Sequence, residues 1–298
     1  MKSSDVKIAV TFLSFDRFHL MKACLHQVTK FLPPRWPLKI FQDGWIDLHG
    51  REVGSANNVR RSVELFSRRR LDVEFHGSLN RGVAEVVYEA ECWAFEEVGA
   101  DCLILLEDDI FVSRHFFRTM ATLSQFAANS ADIGAFSAYG DASKGYLEQF
   151  LTRNNFAPMH HRWGGGMSRD FWLRGRADYL RYLSLMKGIP YRLRPHDKIF
   201  EFLRGFRNAQ NVAHISSQDG AHTAIMLHHG GFSVMPPTSF AVNLGKRGLH
   251  SSPSFYRQNL PKMRGPHPFF PLPVRLSEAS LREQSGALFE ESVNLKYW

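Results

Sequence analysis

Apolar and polar positions in the first part of the chain alternate between the period of a strand and the period of a helix. The run 6–14 is apolar and rich in strand-forming residues, and Asp16 stands where it could cap the helix that follows. A second strand over 37–42, a helix over 57–70 and a third strand over 72–76 continue the pattern. Strands that alternate with helices predict a parallel sheet joined by right-handed crossovers.

The same alternation continues into the most apolar strand of the chain. Apolar residues recur at helical spacing over 83–98, Gly99 is placed to end that helix, and 103–106 is a fully apolar run. A Phe-rich helix with Ser113 as its expected N-cap comes next, followed by a strand over 133–139. The pattern therefore predicts an α/β fold with a Rossmann-like, doubly wound and mostly parallel sheet.

Three carboxylates, Glu107, Asp108 and Asp109, directly follow the buried strand. In open α/β sheets, ligands bind at the edge formed by the carboxyl ends of the strands. Carboxylates on a rigid strand suit a hard divalent cation that keeps waters and substrate phosphates as its other ligands. Three adjacent acids also repel one another, which raises their pKa values unless a cation is present. A solvated acidic turn is the alternative that the pattern leaves open.

Composition and charge narrow the classes of protein without choosing one. The chain has 298 residues, of which 44% are hydrophobic, and 37 Lys and Arg against 29 Asp and Glu give a net charge of +8. Such a charge fits an anionic ligand, an acidic membrane surface or nucleic acid. No run approaches the ~18 apolar residues of a membrane span, and the first 20 residues lack an apolar leader core, so we expect a cytosolic protein. Cys24, Cys92 and Cys102 lack the spacing of metal ligands and are expected to be reduced thiols.

The turn after the first strand excludes two common nucleotide-binding motifs. A dinucleotide-binding domain has G-x-G-x-x-G at this turn, whereas the turn 14–17 contains no glycine, and a Walker A loop is also missing. Arg17 instead places a cation at the start of a helix, where a pyrophosphate could bind.

The second part of the chain is less regular, which is typical of loops that carry a site. Asp219 precedes a glycine in a turn-like context and could be brought over the acidic strand end as a general base. The segment 243–252 combines glycines, two cations, a histidine and two hydroxyls, a composition suited to folding over a diphosphate. Four histidines (His214, His222, His228 and His229) match no established zinc-ligand spacing, so no structural zinc site is predicted.

Taken in chain order, these motifs resemble GT-A type nucleotide-sugar glycosyltransferases, and most closely the N-acetylglucosaminyltransferase I family. The Asp16-Arg17 pair after the first strand resembles an Asp-Arg pair of that family, and 41–44 resembles its Ser-Gln-Asp turn. The most specific likeness is the stretch 107–117, in which Glu-Asp-Asp precedes a Phe-rich helix. The resemblance covers roughly residues 6 to 255 and is strongest up to 117.

The resemblance implies roles for the residues at the strand ends. Asp109 would ligate a Mn²⁺ or Mg²⁺ ion bound to the donor diphosphate. Asp108 would contact the ribose, Asp43 and Arg17 the nucleotide, and Glu107 the sugar.

It also implies roles for residues of the less regular part. Trp163 and Gly165 lie in a glycine-rich segment expected near the donor sugar and the acceptor. Asp219 falls at the position of the catalytic base, although this chain has one acid where the family has two. His250 lies in 248–252, which resembles the family's closing loop over the diphosphate, and Lys246 precedes it in the segment 243–252.

The reaction implied is the inverting transfer of a GlcNAc-like sugar from a UDP-sugar to a hydroxyl of a saccharide or glycolipid acceptor. We expect a nucleotide-sugar-binding half over 1–139, an acceptor-binding and catalytic half of the same domain over 140–255, and a C-terminal arm over 256–298. The proline-rich basic segment 250–273 could contact an anionic acceptor or a membrane, so the expected location is the cytoplasm, including the inner face of the membrane.

Two other functions stay open from the sequence. A sugar-phosphate nucleotidyltransferase uses a similar sheet but usually places a glycine-rich loop after the first strand. A basic module that binds nucleic acid or another anionic polymer is suggested by the net charge and by arginines such as 68–70. No nucleic-acid partner is expected, because three acids at a strand end repel a phosphate polymer.

Overall fold

A computed structural model describes residues 6–140, 148, 151, 155–159, 161–187, 189, 193–245 and 277–295. The strands in these residues are β1 (Ile8–Ser14), β2 (Leu38–Gln42), β3 (Asp72–Phe75), β4 (Cys102–Glu107), β5 (Ile110–Val112), β6 (Ile133–Ser137), β7 (Gly165–Ser168), β8 (Phe232–Val234) and β9 (Ala241–Asn243). The helices are α1 (Phe18–Phe31), α2 (Ala56–Arg68), α3 (Val83–Cys92), α4 (Phe116–Ala128), α5 (Arg169–Ser184), α6 (His196–Arg204), α7 (Gln218–His228) and α8 (Glu278–Asn294). A π-helical turn over Trp93–Glu97 extends α3.

Seven of these strands form one sheet in the order β3-β2-β1-β4-β7-β6-β8. The strand β1 pairs in parallel with β2 and β4, β2 pairs in parallel with β3, and β6 pairs in parallel with β8. The strand β7 runs antiparallel between β4 and β6. The predicted α/β fold with a mostly parallel sheet is therefore confirmed. Because β1, β2 and β4 run in the same direction, the residues that follow them meet at one edge.

Side chains of β1 alternate between two cores, one on each face of the sheet. Ile8, Val10 and Phe12 pack on the face covered by α1 and α4. Ala9 and Leu13 pack on the opposite face, against α3 and its π-helical turn. Both faces of β1 are buried, which explains why this strand is apolar along its whole length. The doubly wound arrangement follows from helices covering both faces.

Two predicted helix caps are wrong. The helix α1 has Arg17 as its N-cap without a side-chain cap, because the Asp16 carboxylate accepts a hydrogen bond from Ser55 N (3.2 Å) at the start of α2. The helix α4 has His115 as its N-cap instead of Ser113. Ser113 N donates to Phe240 O (2.9 Å), since the short strand β5 pairs with β9 before the helix can begin.

The sequence patterns missed the strands β5, β7, β8 and β9 and the helices α6 and α7. The strand β7 is rich in glycine because it lies against a ring: a Cβ on Gly166 would come within 2.3 Å of the Phe136 ring. In α7 every residue from Gly220 to Leu227 is buried, so the helix has no polar face and no amphipathic period. The sequence also predicts a helix over 171–186, and this helix is present as α5.

The C-terminal helix α8 packs on the same core as the sheet. Leu281 and Leu288 are buried in the core that also contains Phe232 and Val234 of β8. The side chain of Gln284 adds a polar contact, because its Oε1 accepts a hydrogen bond from Phe156 N at 3.0 Å. Within the part of the chain that the structure describes, no helix combines the length and the apolar character needed to cross a bilayer. The three cysteines are free thiols, as expected.

Candidate active site

Arg17 joins the two aspartates that follow β4. Its Nη1 lies 2.7 Å from Asp109 Oδ2, and its Nη2 forms an ion pair with Asp108 Oδ1. The second oxygen of Asp108 accepts a hydrogen bond from Phe15 N at 3.3 Å. The two carboxylates are almost completely buried, with side chains 3% and 8% exposed, whereas the arginine side chain is 25% exposed. The ends of β1 and β4 therefore bring three of the predicted site residues together.

Burial and neighbouring charges both shift the pKa values of these groups. Burial raises the pKa of Asp108 to about 6, although Arg17 opposes the shift. Burial likewise raises the pKa of Glu107 well above its ordinary value, and the charges of Asp109 and Asp219 add to that effect. Burial lowers the pKa of Arg17, but the two aspartates outweigh it and raise the net value. If all three acids are ionised, they and the guanidinium carry two net negative charges, which a divalent cation would neutralise.

The chemistry of Asp109 fits a divalent cation. Its Oδ2 is engaged by Arg17, while its Oδ1 is buried and has no hydrogen-bond partner among the described residues. A buried carboxylate oxygen without a partner is costly unless a ligand satisfies it. Oxygen ligands of this kind are those that Mg²⁺ and Mn²⁺ prefer. Asp109 is thus suited to hold the ion, with Glu107 and Asp108 supplying further negative charge.

The chain after β9 passes directly over Asp109. Leu244 N donates to Asp109 O (2.8 Å), and Gly245 N donates to Asn243 Oδ1 (2.7 Å). A Cβ on Gly245 would lie only 2.2 Å from Asp109 Oδ2, so the position requires glycine. Two of the predicted residues, Lys246 and His250, follow immediately in sequence and lie outside the described residues.

An aromatic cluster connects the glycine-rich segment to β9. The Trp163 ring stacks on His161 with a centroid distance of 4.6 Å and an interplanar angle of 20°. Both rings make edge contacts with Tyr139, whose hydroxyl accepts a hydrogen bond from Asn243 N at 3.2 Å. Ser137 Oγ donates to Trp163 O at 3.1 Å and fixes the backbone. The cluster therefore lies close to the strand that leads to Gly245.

The backbone of the glycine-rich segment is tightly constrained. Gly164 has φ +56°, a conformation that disfavours other residues. A Cβ on Gly165 would lie 3.0 Å from Arg162 O, so the first position of β7 needs a small residue. These constraints fix the path of the backbone from Arg162 and Trp163 into β7.

The carboxylate of Asp43, at the end of β2, accepts four hydrogen bonds from nearby residues. Its Oδ1 accepts from Gly44 N (2.9 Å) and Arg81 N (2.8 Å), and its Oδ2 accepts from Asn80 Nδ2 (2.9 Å) and Gly82 N (3.0 Å). Burial raises its pKa to about 6, and the backbone donors oppose the shift. The four bonds anchor the turn that starts α3, and a direct contact of Asp43 with a nucleotide stays a prediction.

Asp219 lies in the first turn of α7 and not in a simple turn. Ser217 caps this helix by accepting a hydrogen bond from Gly220 N at 3.3 Å. Burial raises the pKa of Asp219, and the charges of Arg162 and His222 oppose the shift. The Asp219 carboxylate in turn acts on Glu107 of β4. The fold thus brings the predicted base to the acidic end of the central strand.

Asp178 joins two of the histidines at the other end of α7. The ligand atoms of Asp178, His228 and His229 lie within 4.8 Å of one another, a grouping that sequence spacing could not reveal because the aspartate is on α5. The protein already engages these atoms: His229 Nε2 lies 3.0 Å from Asp178 Oδ2, and Arg207 N donates to His228 Nδ1 at 3.1 Å. A metal on His228 Nδ1 would have to displace the hydrogen bond from Arg207 N, and a metal on Nε2 would have to displace the proton there.

No known family profile and no curated protein matches this chain. Among solved structures, it is similar to a mannosyltransferase, PcManGT from Pyrobaculum calidifontis in complex with GDP-Man and Mn²⁺, at 13% identity and a TM-score of 0.47, covering 98% of this chain and 74% of that one. It is also similar to residues 1–349 of TarS from S. aureus in complex with UDP-GlcNAc, at 11% identity and a TM-score of 0.47, covering 85% and 64%.

Several residues of the site were missed by sequence reasoning. Glu91 and His222 form a buried pair beside Asp219, and Gly245 lies against Asp109. The sequence did contain one indication for Glu91, because it is a charged residue on the apolar stripe of α3. The significance of Gly245 depends on a contact between two distant parts of the chain, which no local pattern encodes.

Proposed function

We propose that this protein is a metal-dependent, inverting glycosyltransferase that moves a GlcNAc-like sugar from a UDP-sugar to a hydroxyl of a saccharide or glycolipid acceptor. The observation that carries the proposal is the buried Oδ1 of Asp109, which lacks a hydrogen-bond partner in the described part of the chain and lies beside the cation of Arg17. The charge of Asp219 acts on the neighbouring Glu107. A metal-binding carboxylate, a phosphate-binding cation and a base at one sheet edge are the groups that transfer of a sugar from a diphosphate requires.

At the donor side, Asp109 would hold Mn²⁺ or Mg²⁺, and the bound ion supplies positive charge to the departing nucleoside diphosphate. Arg17 provides a second positive charge at the same edge and keeps a quarter of its side chain exposed. Asp108 orients the guanidinium through their ion pair. Glu107 would contact the donor sugar, and Trp163 and Gly165 would lie near the sugar and the acceptor, as the resemblance implies.

At the acceptor side, Asp219 takes the proton from the attacking hydroxyl as the new glycosidic bond forms and the bond to the diphosphate breaks. Direct displacement inverts the anomeric configuration, so an α-linked UDP-sugar gives a β-glycoside. The base must be ionised when the acceptor arrives, and the positive charges of Arg162 and His222 favour its ionised form against burial.

The resemblance of 107–117 to the N-acetylglucosaminyltransferase I family supports the finer assignment of a UDP-GlcNAc-like donor. The loop that closes over the diphosphate in that family corresponds to 248–252. The close approach of Gly245, three residues earlier, to Asp109 supports this correspondence.

The decisive experiment is calorimetric titration of nucleotide sugars in the presence and absence of Mn²⁺. A thermal-shift panel that includes UDP-GlcNAc and GDP-Man first selects the donor. Asp109→Ala is expected to lose the Mn²⁺-dependent part of the affinity while the protein stays folded. The matched control is Asp132→Ala, an exposed acid next to the amino end of β6, which should bind as the wild type does.

Two results would contradict the proposal. One is nucleotide-sugar affinity that is the same with and without Mn²⁺ in both the wild type and Asp109→Ala. The other is an absence of nucleotide binding together with steeply salt-dependent binding of random DNA, which would favour the basic polymer-binding module.

A further inference from the structure

His222 lies one helical turn after Asp219 and is hydrogen-bonded at both ring nitrogens. Its Nδ1 is 2.8 Å from Gln218 O, and its Nε2 is 2.7 Å from Glu91 Oε1. A carbonyl oxygen accepts a hydrogen bond, and so does an ionised carboxylate, so with Glu91 ionised each ring nitrogen carries a hydrogen. This geometry is that of an imidazolium paired with the carboxylate of Glu91.

This ion pair is buried where an apolar pair would be expected. Glu91 is 2% exposed and His222 is 9% exposed, and the neighbouring buried residues of α3 are apolar. A buried ion pair is often no more stabilising than apolar residues of the same volume, because both charges lose their hydration. Stability alone therefore gives little reason for a charged pair at this place.

The charge of His222 acts on Asp219. It favours the ionised carboxylate, as does Arg162 from the loop before β7, and together they oppose the effect of burial on the pKa of Asp219. The other titratable groups near this acid are Glu107 at the end of β4 and Tyr179 of α5. The Tyr179 ring also packs on His222 with a centroid distance of 4.1 Å.

A small cavity lies beside His222. It has a volume of about 30 Å³, is lined by Glu91, Arg162, Tyr179 and His222, among others, and has room for a water molecule.

We propose that Glu91 and His222 are positioning residues for the base: Glu91 holds the imidazolium of His222 one turn from Asp219, and this cation keeps Asp219 ionised and ready to accept the acceptor's proton. The inference rests on the proposed function. In the reaction the proton moves from the acceptor hydroxyl to Asp219, while His222 keeps both of its protons. Glu91 belongs to α3, which begins at the turn that binds Asp43, and His222 belongs to α7, which carries Asp219. The pair therefore connects these two helices.

The first test is the pH dependence of kcat in His222→Gln and Glu91→Gln. His222→Gln removes the positive charge beside Asp219 directly, and Glu91→Gln removes the carboxylate that holds this charge there, so in both variants the acid limb of the profile should move to higher pH by about one unit. The expected result is kcat about tenfold lower at the acidic end of the profile and within threefold of wild type at the alkaline end, with unchanged affinity for the nucleotide sugar. His228→Gln, a histidine at the far end of the same helix, is the matched control and should keep the wild-type profile.

The second test needs neither a variant nor activity. Nitrogen-15 NMR of the histidine side chains at neutral pH should show two protonated ring nitrogens for His222 in the wild type. A singly protonated, neutral ring would overturn the inference, whatever the protein's activity is.

The two tests separate the inference from the proposed function. A loss of kcat by the same factor at every pH, or an unchanged profile in both variants, would reduce the pair to a structural contact and overturn the inference while leaving the transferase activity established. A doubly protonated His222 in a protein without any transferase activity would overturn both the proposed function and the role of the pair.

Discussion

Arg17 Nη1 lies 2.7 Å from Asp109 Oδ2, and the same guanidinium also binds Asp108. The arginine follows β1 and the aspartates follow β4, so the contact exists because these two strands pair in parallel. It places one cation against two buried acids and leaves the other oxygen of Asp109 without a partner among the described residues. The stability of this edge should therefore depend on which cations are present.

Arg17→Met is expected to lower the free energy of unfolding by about 3 kcal/mol in the presence of a chelator, because it leaves two buried carboxylates without a counter-charge. Mn²⁺ should restore part of this loss, since the ion supplies the missing positive charge. Urea unfolding with chelator and with Mn²⁺ measures both values, and Arg69→Met, at an exposed position after α2, is the control. The same loss in both conditions would mean that no divalent ion binds at this edge.

Gly245→Ala should abolish metal-dependent donor binding, because the new methyl group would lie 2.2 Å from Asp109 Oδ2 and must displace the carboxylate or the loop. Gly286→Ala is a matched control, since that glycine lies in α8 with no atom within 4 Å of an added Cβ. The control should gain about 0.5–1 kcal/mol of stability and bind the donor normally. Calorimetry and thermal unfolding of both variants check the prediction. Normal donor affinity in Gly245→Ala would show that the loop and Asp109 are not in contact.

Asp219→Asn is expected to keep donor affinity and to lower kcat by about 10²- to 10⁴-fold, the usual contribution of a general base. In the wild type, burial raises the pKa of Asp219, so activity should fall as the pH drops through that raised value and the base becomes protonated. The acid limb should thus lie above 3.8, the ordinary value for this side chain. Asp197→Asn changes an exposed acid in the first turn of α6 and serves as the control. Turnover close to normal in Asp219→Asn would remove this residue from the role of base.

Asp43→Asn should lower the free energy of unfolding by about 2 kcal/mol at pH 7.5, because an amide nitrogen would face two of the four donors that now bind the carboxylate. Chemical denaturation measures this loss, and Asp72→Asn, at an exposed position in β3, is the comparison. Equal stability of the two variants would show that Asp43 does not anchor the turn. A loss of nucleotide affinity beyond the loss of stability would support the direct contact expected from the sequence.

Leu288→Ala should cost about 2–4 kcal/mol, because the side chain is buried in the core shared with β8. Glu283→Ala, on the exposed side of the same helix, should change stability by less than about 0.5 kcal/mol. Thermal unfolding distinguishes the two. A small effect at both positions would mean that α8 does not pack on the sheet.

The sequence predicted those parts of the protein in which the spacing of apolar residues within one strand or helix shows which side is buried. The apolar run of β4 and the acids that follow it, the stripe of α3 and the alternation of strands with helices all depend on backbone geometry over a few residues. The parallel sheet and the gathering of Arg17, Asp108 and Asp109 follow from them, because parallel strands deliver their ends to one edge.

Tertiary structure alone determined the remainder. Burial on all sides removed the helical period from α7, and pairing with β4 and β6 made a glycine-rich segment into a strand. The contacts of Gly245 with Asp109 and of Glu91 with His222 join residues more than 100 positions apart. Such contacts form only when distant elements pack, so their energy depends on the whole fold and leaves no signal in the local order of apolar and polar residues.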